Sequence, residues 1–345
     1  MSRLRPGLLS ELGAQLPVIA APMAGGPTTA ELVVASSTVG TLGFIAGGYK
    51  TPDRLADEIH QVRARTELFG VNLFAPNPVP VDAEAFGAYR TALQPWADRY
   101  GAELPQQPQE DDDAWDAKLQ LLLKDPVPVV SFTFGLPPQQ TIRAFQRAGT
   151  RVVQTVTSRA EAQQAAAAGV DAVVAQSPCA GGHWGTWSPG GSVPSITAAQ
   201  LVAEISPVVP CPVWAAGGLA TSHSVREVLA SGAEAACVGT ALLRCPEAGT
   251  QPAHRRALAS AAYAETVVTS AFSGRPARAL RTEFTDAMTP AAPLGFPALH
   301  HLTTPLRRAA AAAGDPTALN LWAGTGWRHA AEEPAADALR RLAGA

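Results

Sequence analysis

The sequence predicts an α/β fold, a (β/α)8 TIM barrel of parallel strands carrying a smaller, mainly helical lid or substrate region. Three observations point there. Eight short apolar runs recur along the chain, they are continuous rather than alternating, and most are followed by a segment with helical start and stop signals. Continuous apolar runs suit parallel strands buried on both faces. Periodicity alone leaves a doubly wound sheet open, but eight repeats of one β-then-α unit favour the barrel.

The runs lie at residues 17–22, 41–46, 68–74, 127–132, 151–156, 172–176, 212–216 and 235–239. Between them, Thr51 followed by Pro52 reads as an N-cap with proline in the first turn, and Ser158 with Glu161 matches a capping box. Three helices are expected to close on Gly149, Gly169 and Gly232, each just before a strand. Two regions break the rhythm. Residues 75–116 hold Pro76, Pro78, Pro80 and an acidic run at 110–113, and read as an insertion at the mouth after the third strand, the acids forming a solvated face. The stretch HRRALASAAYAETVV and the residues after it lie beyond the eighth strand. The expected division is therefore a barrel over 1–245 with its insertion, a helical lid over 246–306, and a segment over 307–345 that packs back on the barrel.

Apolar residues make up 47% of the 345 and charged residues 16%, enough for a large core, while a net charge of -3 offers no basic field to nucleic acid. No apolar run approaches the roughly 20 residues that span a bilayer, and MSRLRPGLLSELG lacks a leader's apolar centre, so a cytoplasmic protein without membrane contact is expected. The four cysteines, Cys179, Cys211, Cys237 and Cys245, have no CxxC spacing and suggest neither disulfides nor a metal site.

In such a barrel chemistry sits where strands end. Reading off those positions gives Met23, Asn72, Thr133, Gln154, Gln176, Gly217, Gly218, Gly239 and Thr240, a set rich in glycine and amides and nearly free of charge. The loop after the sixth strand, SPCAGGHWG, pairs Gly181 and Gly182, whose backbone a flat ligand can approach, with His183, an imidazole suited to general-base work. The glycines of AAGGLATS and of VGTALL follow strands seven and eight, where barrels bind phosphate. A phosphate site beside neutral amides suits flavin mononucleotide (FMN).

The chain resembles the nitronate monooxygenases, and their first class in particular. The likeness rests on APMAGG (21–26), FGVNLF (69–74), VVSFTFG (129–135), AGGH (180–183), AAGG (215–218), VGTALL (238–243), GRPAR (274–278) and LWAG (321–324), in the family's order. The resemblance implies an FMN-dependent enzyme that oxidises alkyl nitronates with O2 to a carbonyl compound and nitrite. It implies cofactor contacts at Asn72, Gln176, Gly181, Gly218, Gly239 and Thr240, to which the strand-end and glycine-motif reading adds Met23, Gln154, Gly182, Gly217 and Val238, and it implies a catalytic role for His183 facing flavin and substrate. The family pattern close to Q-G-x-E-A-G-G-H-R-G is altered here: Ser177, Cys179 and Trp184 stand for its glycine, glutamate and arginine. Thr133 stands where relatives often carry histidine, and His300 and His301 where they often carry tyrosine. The alternatives on the same scaffold are a flavin enoyl reductase or a tailoring oxidase, and, from another class, a flavin-binding protein without turnover.

Overall fold

Strands that are apolar on both faces must be covered twice, from inside by their own closure and from outside by helices. The computed structural model meets this demand. It describes residues 7–345, so residues 1–6 of the expected barrel unit, and part of the stretch read for a leader, lie outside the described residues. The strands are β1 (Val18–Ala20), β2 (Leu42–Ala46), β3 (Phe69–Phe74), β4 (Val129–Thr133), β5 (Arg151–Val156), β6 (Ala172–Gln176), a short β7 (Gly182–His183), β8 (Val213–Ala216) and β9 (Ala235–Val238). All but β7 form a closed parallel barrel, and β9 returns to β1 through Val18 opposite Ala236. The eight expected runs are the eight barrel strands.

Alternation along these strands sorts the core into two shells. Ile19, Phe44, Val129, Val153, Trp214 and Cys237 fill the barrel, and Val18, Ile45, Val71, Phe132, Val152 and Val238 pack outward under the helices. The interior indole is satisfied: Trp214 Nε1 donates to Glu234 Oε2 at 2.7 Å, and Glu234 Oε1 accepts from Leu9 N of the N-terminal helix Leu8–Glu11 at 2.9 Å. Helix starts follow the expected chemistry, with Thr51 and Ser158 each capping a backbone N–H. Glu161 departs from the capping box and instead accepts from Thr157 N and Oγ1. Helices end at Gly149 and Gly169, both at φ +88°, a conformation costly for any residue with a Cβ. The C-terminal helix Ala335–Ala343 sets Leu339 and Leu342 into the barrel's outer shell.

A separate core covers the mouth. Phe86, Tyr89 and Leu93 of the helix Ala83–Tyr100 pack with Phe272, Phe284, Leu299 and Leu302 from beyond the barrel. The region after β9 is less helical than expected. Its first helix stops at Ala259, and β10 (Thr266–Thr269) and β11 (Ala277–Leu280) form an antiparallel sheet with β7 in the order β10-β11-β7. The β-branched run TVVT suits a pleated strand better than a helix, which explains the difference.

The acidic run is exposed at Glu110, Asp111 and Asp112, as expected of a solvated face, but two of its members are also paired. Asp111 Oδ2 lies 2.6 Å from His301 Nε2, Asp113 Oδ2 lies 2.7 Å from the buried Lys118 Nζ, and Asp113 Oδ1 accepts from Tyr49 N at 2.9 Å. These acids strap the insertion to the loop after β2 and to the helix Ala298–Ala312. Since removing one member of a buried pair strands the other charge, Asp113→Ala is expected to cost about 3 kcal/mol in chemical denaturation, and Asp113→Ala with Lys118→Met to recover most of it. Equal stability of the single variant and the parent would show that Lys118 reaches water unaided.

Candidate active site

Because side chains alternate along each strand, the last inward residues of β3 to β6 converge on one chamber of about 550 Å³. Asn72, Ser131, Thr133, Thr155 and Gln176 form a neutral polar wall. Asn72 Nδ2 donates to Ser131 Oγ at 2.9 Å and to Thr133 Oγ1 at 3.1 Å, and Thr133 Oγ1 lies 3.3 Å from Thr155 Oγ1. Gln176 Oε1 accepts from Gly185 N at 2.6 Å, tying the AGGH loop to the strand it leaves.

Met23, Asn72, Gln176, Gly181, Gly182, His183, Gly217, Gly218, Gly239 and Thr240 all line the chamber. Gln154 and Val238 do not, a correction to the expected set with a simple cause. Each sits one residue out of register with an inward neighbour, Thr155 and Gly239 respectively, and therefore points to the outer shell. Gln154 Nε2 donates there to Gly135 O at 3.1 Å, and Val238 packs in the outer core.

At the other side three loops crowd together. A Cβ on Gly217 would come within 2.4 Å of Ser177 Oγ, and one on Gly181 within 2.6 Å of Gly324 N. Thr240 Oγ1 accepts from Gly324 N at 3.0 Å, and Thr325 N donates to Cys179 O at 3.0 Å. The LWAG segment thus closes the ring formed by AGGH, AAGG and VGT. Behind Gly218 the helix Ser222–Ala230 begins, its N-cap Thr221 in a reciprocal box with Ser224.

β7 pairs with β11, His183 opposite Ala277, which aims the imidazole across the chamber. Its Nε2 lies 2.8 Å from Ser273 Oγ, and its ring lies 5.7 Å from those of Phe134 and Phe296 and 5.4 Å from that of Trp322. Burial, then the charges of Arg275 and Arg307, push the His183 pKa down to about 3, so the ring is neutral at physiological pH. His254, also in the wall, is pushed down to about 4 by burial. Trp184, in the family arginine's place, is buried away from the chamber, and Cys179 leaves its wall as well.

The remaining wall was not legible from strand ends. Tyr49 stacks on His300 with ring centroids 4.3 Å apart, and Arg307 donates to His300 O, Thr303 Oγ1 and Thr304 Oγ1. Neither Arg307 nor the fully buried Arg275 has a carboxylate within ion-pair distance among the described residues. Arg275 and Phe134 carried a signal, their places in GRPAR and VVSFTFG, and Tyr49 lies in the loop after β2; Ser273, Phe296 and Arg307 come from segments that only the tertiary fold brings together. No group of three His, Cys, Asp or Glu able to hold a metal occurs among the described residues.

A family model described as nitronate monooxygenase matches residues 7–343. The chain is 38% identical over 342 residues to a nitronate monooxygenase of Pseudomonas aeruginosa, covering 96% of each, and 34% identical over 336 residues to a probable nitronate monooxygenase of Staphylococcus aureus, covering 95% and 93%. The structure superposes on that of a nitroalkane oxidase from Streptomyces ansochromogenes with a TM-score of 0.92 at 43% identity, covering 98% and 97% of the two chains. FabK from Thermotoga maritima follows at a TM-score of 0.72 and 27% identity, covering 99% and 95%.

The depressed histidines set a pH dependence of stability. Folded His183 and His254 stay unprotonated down to about pH 3 and 4, whereas unfolded histidines take up protons below about pH 6.5, so the unfolded chain binds more protons and stability falls as pH falls through that window. Acidifying the ligand-free protein from pH 7 to 5 is expected to cost about 2 kcal/mol for each of the two. Denaturant melts of His254→Asn should show that share gone; an acid slope equal to the parent's would mean that His254 titrates freely.

Proposed function

The chain belongs to the nitronate monooxygenase family, and on that footing we propose that it holds FMN in the barrel mouth and oxidises an alkyl nitronate, or a related small organic molecule, with O2 to a carbonyl compound and nitrite. The observation that carries the substrate class is electrostatic. Arg307, which has no carboxylate partner among the described residues, lines the chamber on the side of the neutral His183, and the buried Arg275 adds a second positive charge from behind the Phe134 ring, an arrangement that favours an anion. Burial pushes Arg275 and Arg307 down only to about 10, so both remain charged.

The residues fit the flavin. Gly181, Gly217 and Gly218 leave no room for side chains and expose backbone where a phosphate would be bound, beside the Ser222–Ala230 helix start. Asn72, Thr133, Thr155 and Gln176 offer uncharged donors and acceptors to a heteroaromatic ring. Bound there, FMN supplies the electron-transfer chemistry. The chain supplies the rest: the aromatic flank of Phe134, Phe296 and Trp322 excludes water, the Arg307 guanidinium stabilises the substrate's negative charge, and His183 accepts the α-proton when the substrate arrives as the neutral nitroalkane. Side-by-side assays with propyl-2-nitronate plus O2 and with NAD(P)H plus an enoyl thioester test the reading; turnover of the second pair alone would replace it with the reductase.

Gly239 is the clean position at which to test the cradle. Its φ of -120° suits any residue, and a Cβ there meets Met23 Sδ at 3.5 Å, an ordinary contact. Gly239→Val is therefore expected to keep the melting temperature of the ligand-free protein while weakening FMN binding tenfold or more, about 1.4 kcal/mol, in a fluorescence titration. Undiminished affinity would move the cofactor elsewhere.

His183→Asn is expected to retain FMN and to lose on the order of 10² to 10⁴ in kcat/KM with a neutral nitroalkane, the range for a positioned base. The loss should be smaller with the matching nitronate, which is already deprotonated. If the variant equals the parent on both forms, His183 is only a packing residue.

A further inference from the structure

Arg275 sits in the turn between β10 and β11, two residues before the Ala277 that pairs with His183. It is wholly buried, and its guanidinium is unusually short of partners. Nη2 donates to Thr186 O, while Nε and Nη1 have none. In their place it offers its face to aromatic rings, with Cζ 4.1 Å from the centroid of Phe134 and 5.9 Å from that of Phe296. Both rings touch the imidazole of His183, Phe134 edge-on at 89°.

Phe134 is itself held under constraint. Its φ is +80°, a region that non-glycine residues avoid, and its carbonyl accepts from Asn77 Nδ2 at 2.6 Å. A second route runs through the backbone. Ser273 Oγ lies 3.4 Å from Arg275 O and 2.8 Å from His183 Nε2, and a serine that gives its proton to Arg275 O accepts from His183 Nε2–H. That pattern places the lone pair of the neutral ring on Nδ1.

We propose that Arg275 is a positioning residue for His183: its guanidinium anchors the Phe134 and Phe296 wall, its carbonyl orients Ser273, and together they hold the imidazole in one orientation beside a fixed positive charge. This rests on the reading of His183 as the base. The other charged or titratable groups facing the ring are Arg307 and His300 from the helix Ala298–Ala312; Tyr49 and Glu161 face Arg275, Glu161 through Thr186, whose Oγ1 donates to Glu161 Oε1 at 3.2 Å.

The test reads the ring directly and needs no turnover. Nitrogen-15 spectra of histidine-labelled, FMN-loaded protein are recorded across pH for the parent, Arg275→Met and Arg275→Lys. The parent is expected to show His183 as a single neutral tautomer with Nε2 protonated. In Arg275→Met the titration midpoint should rise by about one unit, the scale for unit charges roughly 8–10 Å apart at an effective dielectric constant of about 20, while the tautomer, set through the backbone carbonyl of residue 275, should stay. Arg275→Lys, which keeps the charge, should keep the low midpoint. A folded Arg275→Met protein with the parent's midpoint overturns the proposal. Should that variant not fold, Phe134→Leu decides instead, since it removes the ring on which the guanidinium is seated: a shifted His183 midpoint supports the role, and the parent's midpoint overturns it. Absence of nitronate turnover in the parent would instead strike the functional reading and leave these spectra as they are.

Discussion

The chemistry of this chain depends on the two-residue repeat of its barrel strands. A parallel barrel that is packed inside and out must turn alternate side chains to its axis, so the last inward residue of each strand has only the mouth left to face. That single constraint gathers Asn72, Thr133, Thr155 and Gln176 from four strands into one wall without any of them being near another in sequence. It also expels Gln154 and Val238, which share the same strand ends but the opposite parity.

Much of this was legible beforehand because strands, helix caps and glycine turns are local. The eight runs, the Thr51 and Ser158 caps and the glycine pairs each announce themselves within a few residues. Parity was equally readable in principle: Asn72 and Gly70 flank an outward Val71, and Thr155 follows Gln154 as the inward residue. What could not be read was the far wall. Ser273, Phe296 and Arg307 follow no barrel strand end and carry no motif of their own, and their meeting with Tyr49 depends on the second core around Phe86, Phe272 and Leu299. The pairings of the acidic run were hidden for the same reason, since its partners His301 and Lys118 are set by that packing rather than by charge pattern.

The departures from the family loop look different once placed. Ser177 is fully buried and its hydroxyl accepts from Cys179 N, closing the turn that glycine would leave open. Trp184 turns into the protein, where its backbone N–H donates to Pro276 O, so the loop keeps its path while its side chain leaves the chamber. Positive charge near the histidine comes instead from Arg275 and Arg307, both reached through the second core.

The ring of loops around the glycine cradle also has a consequence for biosynthesis. Its last member, Gly324, binds Thr240 Oγ1 and touches Gly181 only after nearly the whole chain has been made, whereas the strands carrying the other members are complete by Val238. A nascent chain emerging from the ribosome can therefore close its barrel while the cradle is still open on one side, and the long-range contacts that finish it come last. Completion of the cradle is thereby placed at the end of synthesis, so that a chain truncated short of residue 321 could still form barrel strands yet lack the segment that completes the ring.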